Sequence, residues 1–241
     1  MIPLPKEDPQ ILFQDSDLLV LYKPSRMYVH PPEDSIARKT VKRHTCLHWL
    51  WDKHHIEAAP IHRLDFSTEG LVLFGKNAQT NSALNIQMRQ KQIQKFYDAA
   101  VRGWFKEPFG KIDLPLELDS TGELVECLTL YSTTHKMELE YSVNSKFPTS
   151  RYSLLDIELK TGRWHQIRRH MNRVAHPILG DREHGDSHHN RFFRDILGID
   201  SLCLRAKRLE FFHPTTNEKM IFTVPESNMW KKIFQLFNQN K

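Results

Sequence analysis

The unbroken apolar run Leu18-Leu19-Val20-Leu21-Tyr22 is the first strong signal in the chain. It is short and closed by Lys23-Pro24-Ser25, which predicts a buried strand ended where proline removes a ladder donor. Leu71-Val72-Leu73-Phe74, between Gly70 and Gly75, predicts another. Tyr97, Ala99 and Val101 recur at every second position of Lys95–Gly103, as do Leu155, Ile157 and Leu159 in Tyr152–Lys160. Period two places each trio on one face of a strand. Leu202–Phe212 and Met220–Val224 read as two more strands, joined by a turn from His213-Pro214 to Glu218. Elsewhere the period lengthens to that of a helix. One helix is expected over Thr40–Trp51, with Leu47, Leu50 and Trp51 on one face, and a second from the N-cap Asn77 to about Lys91. A third opens at Arg163, with Ile167, Met171 and Val174 inward, and a loop over His176–Asp181 follows it. A last amphipathic helix carries Trp230, Ile233, Phe234 and Phe237. Residues 104–150 are least patterned, with short strands and turns around Gly110 and Gly122. Strands outnumber helices and neighbouring strands read as hairpin-linked. The expected fold is therefore α+β: a mainly antiparallel mixed β-sheet flanked by helices.

Composition narrows this modestly. Residues 1–10 hold three prolines and are expected to form a loose arm. Residues 11–241 show no linker, repeat or low-complexity tract, which predicts a single domain. No apolar run nears the ~20 residues that span a bilayer, and residues 1–10 lack the pattern of a secretory signal. Cys46, Cys127 and Cys203 are widely separated and match no disulfide framework or paired zinc pattern, as expected of a reducing cytoplasm. The net charge of +5 is mild. Its local density is not: Arg163, Arg168, Arg169 and Arg173 fall close together, with His165 and His170 among them. Such a cluster suits a polyanion, because each phosphate contact releases counterions.

Candidate chemistry concentrates in Ile61-His62-Arg63-Leu64-Asp65-Phe66-Ser67-Thr68-Glu69-Gly70, where a carboxylate sits beside cations at the mouth of a strand. His44, His48 and Asp52, at i, i+4 and i+8 of the first expected helix, are a possible metal face. No second cluster supports them, so they read as a solvated polar stripe and no metal is expected. No phosphate-binding loop and no dinucleotide fingerprint is present, so no cofactor is expected.

The His-Arg-Leu-Asp string followed by glycine resembles the active-site motif of the RluA-type pseudouridine synthases. Two further strings, in the family's order, carry the same resemblance: Lys-x-Tyr-x-Ala-x-Val-x-Gly over 95–103, and Thr-Gly-Arg-x-His-Gln-Ile-Arg-x-His over 161–170. Lys23-Pro24-Ser25 followed by Val29-His30-Pro31 looks like the family's amino-terminal strand pair. Arg26 stands where the family commonly has glycine, which predicts a different turn. The family's frequent S4 domain is expected to be absent. Glu69 replaces a usual serine, and Arg205 stands where relatives often have histidine.

The resemblance implies an α+β catalytic domain with a central RNA-binding cleft, and isomerisation of uridine to pseudouridine within RNA. Asp65 would act at the sugar, by attack at C1′ or by removing the C2′ proton. Tyr97 would stack on the base and assist proton removal from C5. Arg168 would pair with Asp65, since a guanidinium binds a carboxylate bidentately. The target base must leave its stack, and Arg63 would help by filling the vacated space. His62, Arg163, His165, Arg169 and Arg173 are further candidate RNA contacts. Gly180-Asp181-x-x-His184-Gly185-Asp186, then Asn190-Arg191, resembles the branch of the family that modifies uridine 65 of tRNA; a ribosomal RNA or dual target, and a non-catalytic RNA-binding protein on the same fold, stay open as alternatives. The partner implied is RNA, tRNA first, with no membrane and a monomeric protein.

Overall fold

A computed structural model describes residues 5–31, 44–118, 120–143 and 147–239. Its contacts divide the chain into two compact units, neither continuous in sequence: 1–95 with 206–225, and 96–205 with 226–241.

The first unit is built on strands β1 (Gln10–Gln14), β2 (Leu18–Lys23), β3 (Ala59–Pro60) and β4 (Glu69–Gly75), with helices α1 (Cys46–His54) and α2 (Ala78–Arg89). β1 and β4 flank β2, both antiparallel to it, and β3 pairs with β4. Both predicted apolar runs are strands buried on both faces: Leu18–Leu21 and Val72–Phe74 are fully enclosed. Burying one such side chain contributes roughly 1.5–3 kcal/mol, so these two runs are a large part of the unit's stabilising burial. Leu18, Val20, Leu71, Leu73 and Leu84 share one core with Leu209 and Phe211. Asn77 caps α2 as expected, accepting from the Thr80 amide. α1 begins later than expected. Its N-cap is Thr45, which accepts from the His48 amide, and the expected start at Thr40 lies outside the described residues.

The second unit orders its strands β5 (Gln94–Arg102), β10 (Ser150–Leu159), β9 (Thr129–Leu139) and β6 (Phe109–Ile112), all antiparallel. A small hairpin, β7 (Leu116–Glu117) with β8 (Leu124–Val125), stands apart from that sheet. Helices α3 (Gln166–Arg173), α4 (Ser187–Asp195) and α5 (Asn228–Gln239) complete it. α5 packs on β9 and buries Trp230, Ile233 and Phe237, the inward face its periodicity predicted. β11 (Leu204–Phe212) starts in this unit and continues in the first, where it pairs with β12 (Lys219–Thr223). The architecture is the expected α+β, with a large, mostly antiparallel sheet. Among the described residues no helix is long and apolar enough to cross a membrane.

Candidate active site

The loop that carries Asp65 is braced from below by the turn after β2. Lys23 is fully buried, and its Nζ donates to the carbonyls of Pro24 (3.0 Å), Met27 (2.9 Å) and Phe66 (3.4 Å). The Arg26 and Met27 amides also donate to Phe66 O, and Ser25 Oγ donates to Ser67 O. The residue after Asp65 is thus gripped by several donors. The Asp65 carbonyl accepts from the Thr68 amide and closes the turn. At Arg26 the φ is 66°, so the chain adopts the left-handed region there without a glycine. Glycine is required at Gly70. Its φ is 130°, and a Cβ there would lie 2.4 Å from the Ala206 carbonyl oxygen.

Desolvation pushes the Lys23 ammonium down to about 8, against the opposing pull of the Asp65 and Glu69 charges. Cys46, beside it, is pushed up by burial to about 12 and is therefore a thiol. Asp65 is half-buried and Arg63 is exposed, free to reach a ligand. His62 turns inward: its Nε2 accepts from the Leu73 amide at 3.3 Å, and its Nδ1 is buried without a hydrogen-bond partner. The ring braces a strand instead of facing solvent.

Burial, with the Lys95 charge adding to it, holds the His62 imidazolium far down, at about 3. An unfolded histidine titrates near 6.5. Between these values the unfolded chain binds the extra proton, so this contribution to stability is complete above pH 6.5 and is lost as pH falls toward 3. Lowering the pH from 7 to 5 is expected to remove up to about 2 kcal/mol through this residue. Denaturant unfolding of wild type and His62→Gln at both pH values checks it. An equal loss in the two proteins refutes the assignment.

Tyr97, the candidate base-stacking residue, lies on β5 opposite Ile157 and is buried. Its neighbour Asp98 points to the other face, where Arg205 grips it through Nε (2.9 Å) and Nη2 (2.8 Å). The same guanidinium lies 4.6 Å from the Trp230 ring centroid and 4.8 Å from that of Phe234. Arg205 therefore fastens helix α5 to strand β5.

Helix α3 holds the third motif, but it begins at Gln166, three residues later than the sequence predicted. The reason is His165, whose left-handed backbone (φ 49°) cannot belong to the helix. Gln166 ties the turn together, accepting from Thr161 Oγ1 and the Arg163 amide and donating to Leu128 O and Thr129 Oγ1. Arg168 is buried. Its Nε and Nη2 take both oxygens of Asp181 (2.7 and 2.8 Å), Nη2 also reaches Glu183 (3.0 Å), and Nη1 meets His165 Nε2 at 2.6 Å. Burial opposes ionisation of Asp181. The Arg168 bonds and charge, with the His184 and Glu183 amides, nevertheless hold its carboxyl below the usual range. Sequence reasoning missed Asp181 as a partner of Arg168, although the glycine-aspartate string that contains it stood out. Arg163 and Arg173 are exposed, and Arg169 is partly so. Arg169 and Arg173 donate to the carbonyls of Glu117 and Pro115, and His170 meets that of Leu114, so α3 also straps down the chain at β7. Asp65 lies in the first unit; Tyr97 and Arg168 lie in the second.

His165, Glu183 and His184 are the one group among the described residues whose donor atoms converge within 4.8 Å as metal ligands do. The Arg168 guanidinium already donates to two of them, so a divalent cation there would face a fixed positive charge. The polar face expected of His44, His48 and Asp52 is incomplete, because His44 precedes the N-cap of α1.

Residues 17–173 match the family model described as RNA pseudouridylate synthase. Curated proteins named tRNA pseudouridine synthase C align along nearly the whole chain. That of Pasteurella multocida (strain Pm70) is 37% identical, covering 95% of this chain and 96% of its own. That of Vibrio vulnificus (strain CMCP6) is 35% identical, covering 95% of each. Among solved structures, human RNA pseudouridylate synthase domain containing 1 superposes with a TM-score of 0.71 at 21% identity, over 94% of this chain and 86% of that one.

Proposed function

The chain belongs to the RNA pseudouridylate synthase family and is a pseudouridine synthase; we propose that its substrate is tRNA and its target uridine 65. The observation that carries this reading is the alignment of 95% of the chain, at 35–37% identity, with proteins named for tRNA modification. On this reading the Asp65 carboxylate acts on the ribose of a uridine turned out of its stack, and the N-glycosidic bond breaks. The uracil turns, C5 bonds to the sugar, and Tyr97 assists removal of the C5 proton. Extrusion costs a few kcal/mol, and Arg63, exposed beside Asp65, offsets part of it by occupying the gap. Arg168 pairs with Asp65 in the working site, in addition to its bonds with Asp181. Arg163, Arg169 and Arg173 hold phosphates, whereas His165, expected to join them, has both ring nitrogens engaged within the protein. The braced turn beneath Asp65 supports the assignment, because a reacting carboxylate must be held within a fraction of an ångström of its target. The enzyme acts in the cytoplasm as a monomer and draws on no cofactor.

Chemical mapping of pseudouridine in total tRNA and ribosomal RNA, from cells with and without this protein, tests the reading. A stop at tRNA position 65 that depends on the protein is the expected result. A protein-dependent stop confined to ribosomal RNA moves the substrate, and none in either RNA overturns the proposal.

A further inference from the structure

Strain of the kind His165 carries, a left-handed backbone on a residue with a Cβ, persists only where the surroundings over-determine it. Here they do. A guanidinium can only donate, so His165 Nε2 accepts from Arg168, and the proton of the neutral ring sits on Nδ1, 3.0 Å from His184 Nε2 and 3.5 Å from Glu183 Oε2. The imidazole is immobilised in its plane. On that plane lies the indole of Trp164, with ring centroids 3.7 Å apart and planes 18° apart.

The indole is fixed yet remains 45% exposed. Core packing does not account for that placement, since burial would have gained more than half-exposure does. Two arginines adjoin it, beside the Glu183 carboxylate that faces His165. The Arg169 guanidinium lies 6.0 Å from the indole centroid, at the outer limit of a cation–π contact, and Arg163 is exposed immediately before it. Trp164 occupies the position that the motif Thr-Gly-Arg-x-His-Gln-Ile-Arg leaves open, so the family chemistry does not dictate it.

We propose that Trp164, backed by His165, is a stacking platform for an unpaired nucleobase of the substrate RNA, with Arg163 and Arg169 neutralising the adjoining phosphates. The inference rests on the RNA-modifying reading above and adds a base contact to it. A flat ring accepts any base through its π-face, so the contact strengthens binding and fixes register without reading sequence.

The test uses the full chain and an unmodified tRNA transcript, with variants Trp164→Ala, Trp164→Leu and Trp164→Phe. Stacking of one base, at about 1–3 kcal/mol, corresponds to a Kd for the transcript about 5- to 150-fold weaker in Trp164→Ala. Trp164→Leu keeps apolar bulk without a π-face and is expected to fall with alanine, whereas Trp164→Phe stays close to wild type. Single-turnover pseudouridine formation at saturating RNA is expected to be nearly unchanged in all three, because the contact is made equally in ground and transition states. Wild-type fluorescence is expected to be quenched by the transcript, with the difference lost in Trp164→Phe. Equal Kd values for wild type, alanine and leucine, or identical quenching without Trp164, overturn the inference. A merely structural role would lower the unfolding midpoint of the leucine variant and leave its Kd per folded molecule alone, which also overturns it. Pseudouridine formation by wild type is scored separately. Its presence with a silent Trp164 sinks only the platform, and its absence sinks the reading beneath it.

Discussion

Asp65→Asn is expected to stop pseudouridine formation while RNA binding persists. An amide has almost the shape of a carboxylate but can neither attack a sugar carbon nor take a proton, and losing a nucleophile or base of this kind lowers kcat by about 10^4-fold or more. The fold is expected to survive. The bonds described for this turn end on main-chain carbonyls, with Asp65 O accepting from the Thr68 amide and Phe66 O accepting from Lys23 Nζ and the Arg26 and Met27 amides. RNA affinity should hold or rise, since an anion that repels phosphate has been removed. A second consequence lies inside the protein. The Asp65 charge helps keep buried Lys23 protonated against desolvation, so Lys23 is expected to lose its proton at lower pH in the variant. Filter binding of tRNA, circular dichroism and pseudouridine mapping on the same preparation suffice. Continued conversion of uridine by Asp65→Asn would remove Asp65 from the reaction altogether.

How much of this was legible beforehand depends on whether the cause is local. β2 and β4 announce themselves because a strand buried on both faces is a continuous apolar run, and α5 does so because its buried residues keep helical spacing. The motif residues Asp65, Tyr97 and Arg168 were likewise readable, as strings. β9 was not seen: its eleven residues are mostly polar, and partners on both sides, β10 and β6, determine it. α4 was missed for a related reason. Its nine residues hold only two apolar side chains, Phe192 and Phe193, and adjacent residues define no helical stripe. Its start was signalled by Asp186, which accepts from the His188 and His189 amides. The late start of α3 was hidden because the left-handed residue is a histidine, not the glycine three positions earlier. Pairs such as Arg205 with Asp98 join residues far apart in the chain, and no local pattern encodes them.

Arg168 is where structure and proposed chemistry are hardest to separate, and a pair of variants separates them. Arg168→Met leaves the Asp181 carboxylate, whose side chain is fully enclosed, without its cation. Removing one partner of a buried pair costs about 3–5 kcal/mol, because an uncompensated charge is left inside. The unfolding midpoint should fall accordingly, and activity with it. Arg168→Met with Asp181→Asn removes the stranded charge while leaving Oδ1 to accept from the Glu183 and His184 amides. Much of the lost stability should therefore return. Activity should not: if the guanidinium also orients Asp65, the double variant stays at least about 100-fold below wild type in kcat/KM. Arg168→Lys is expected to behave likewise, since an ammonium keeps the charge but cannot form the two-pronged bond. Recovery of activity in step with stability in the double variant would confine Arg168 to the Asp181 loop and leave Asp65 in need of another partner. Loss of activity in a refolded protein would make Arg168 part of the reaction.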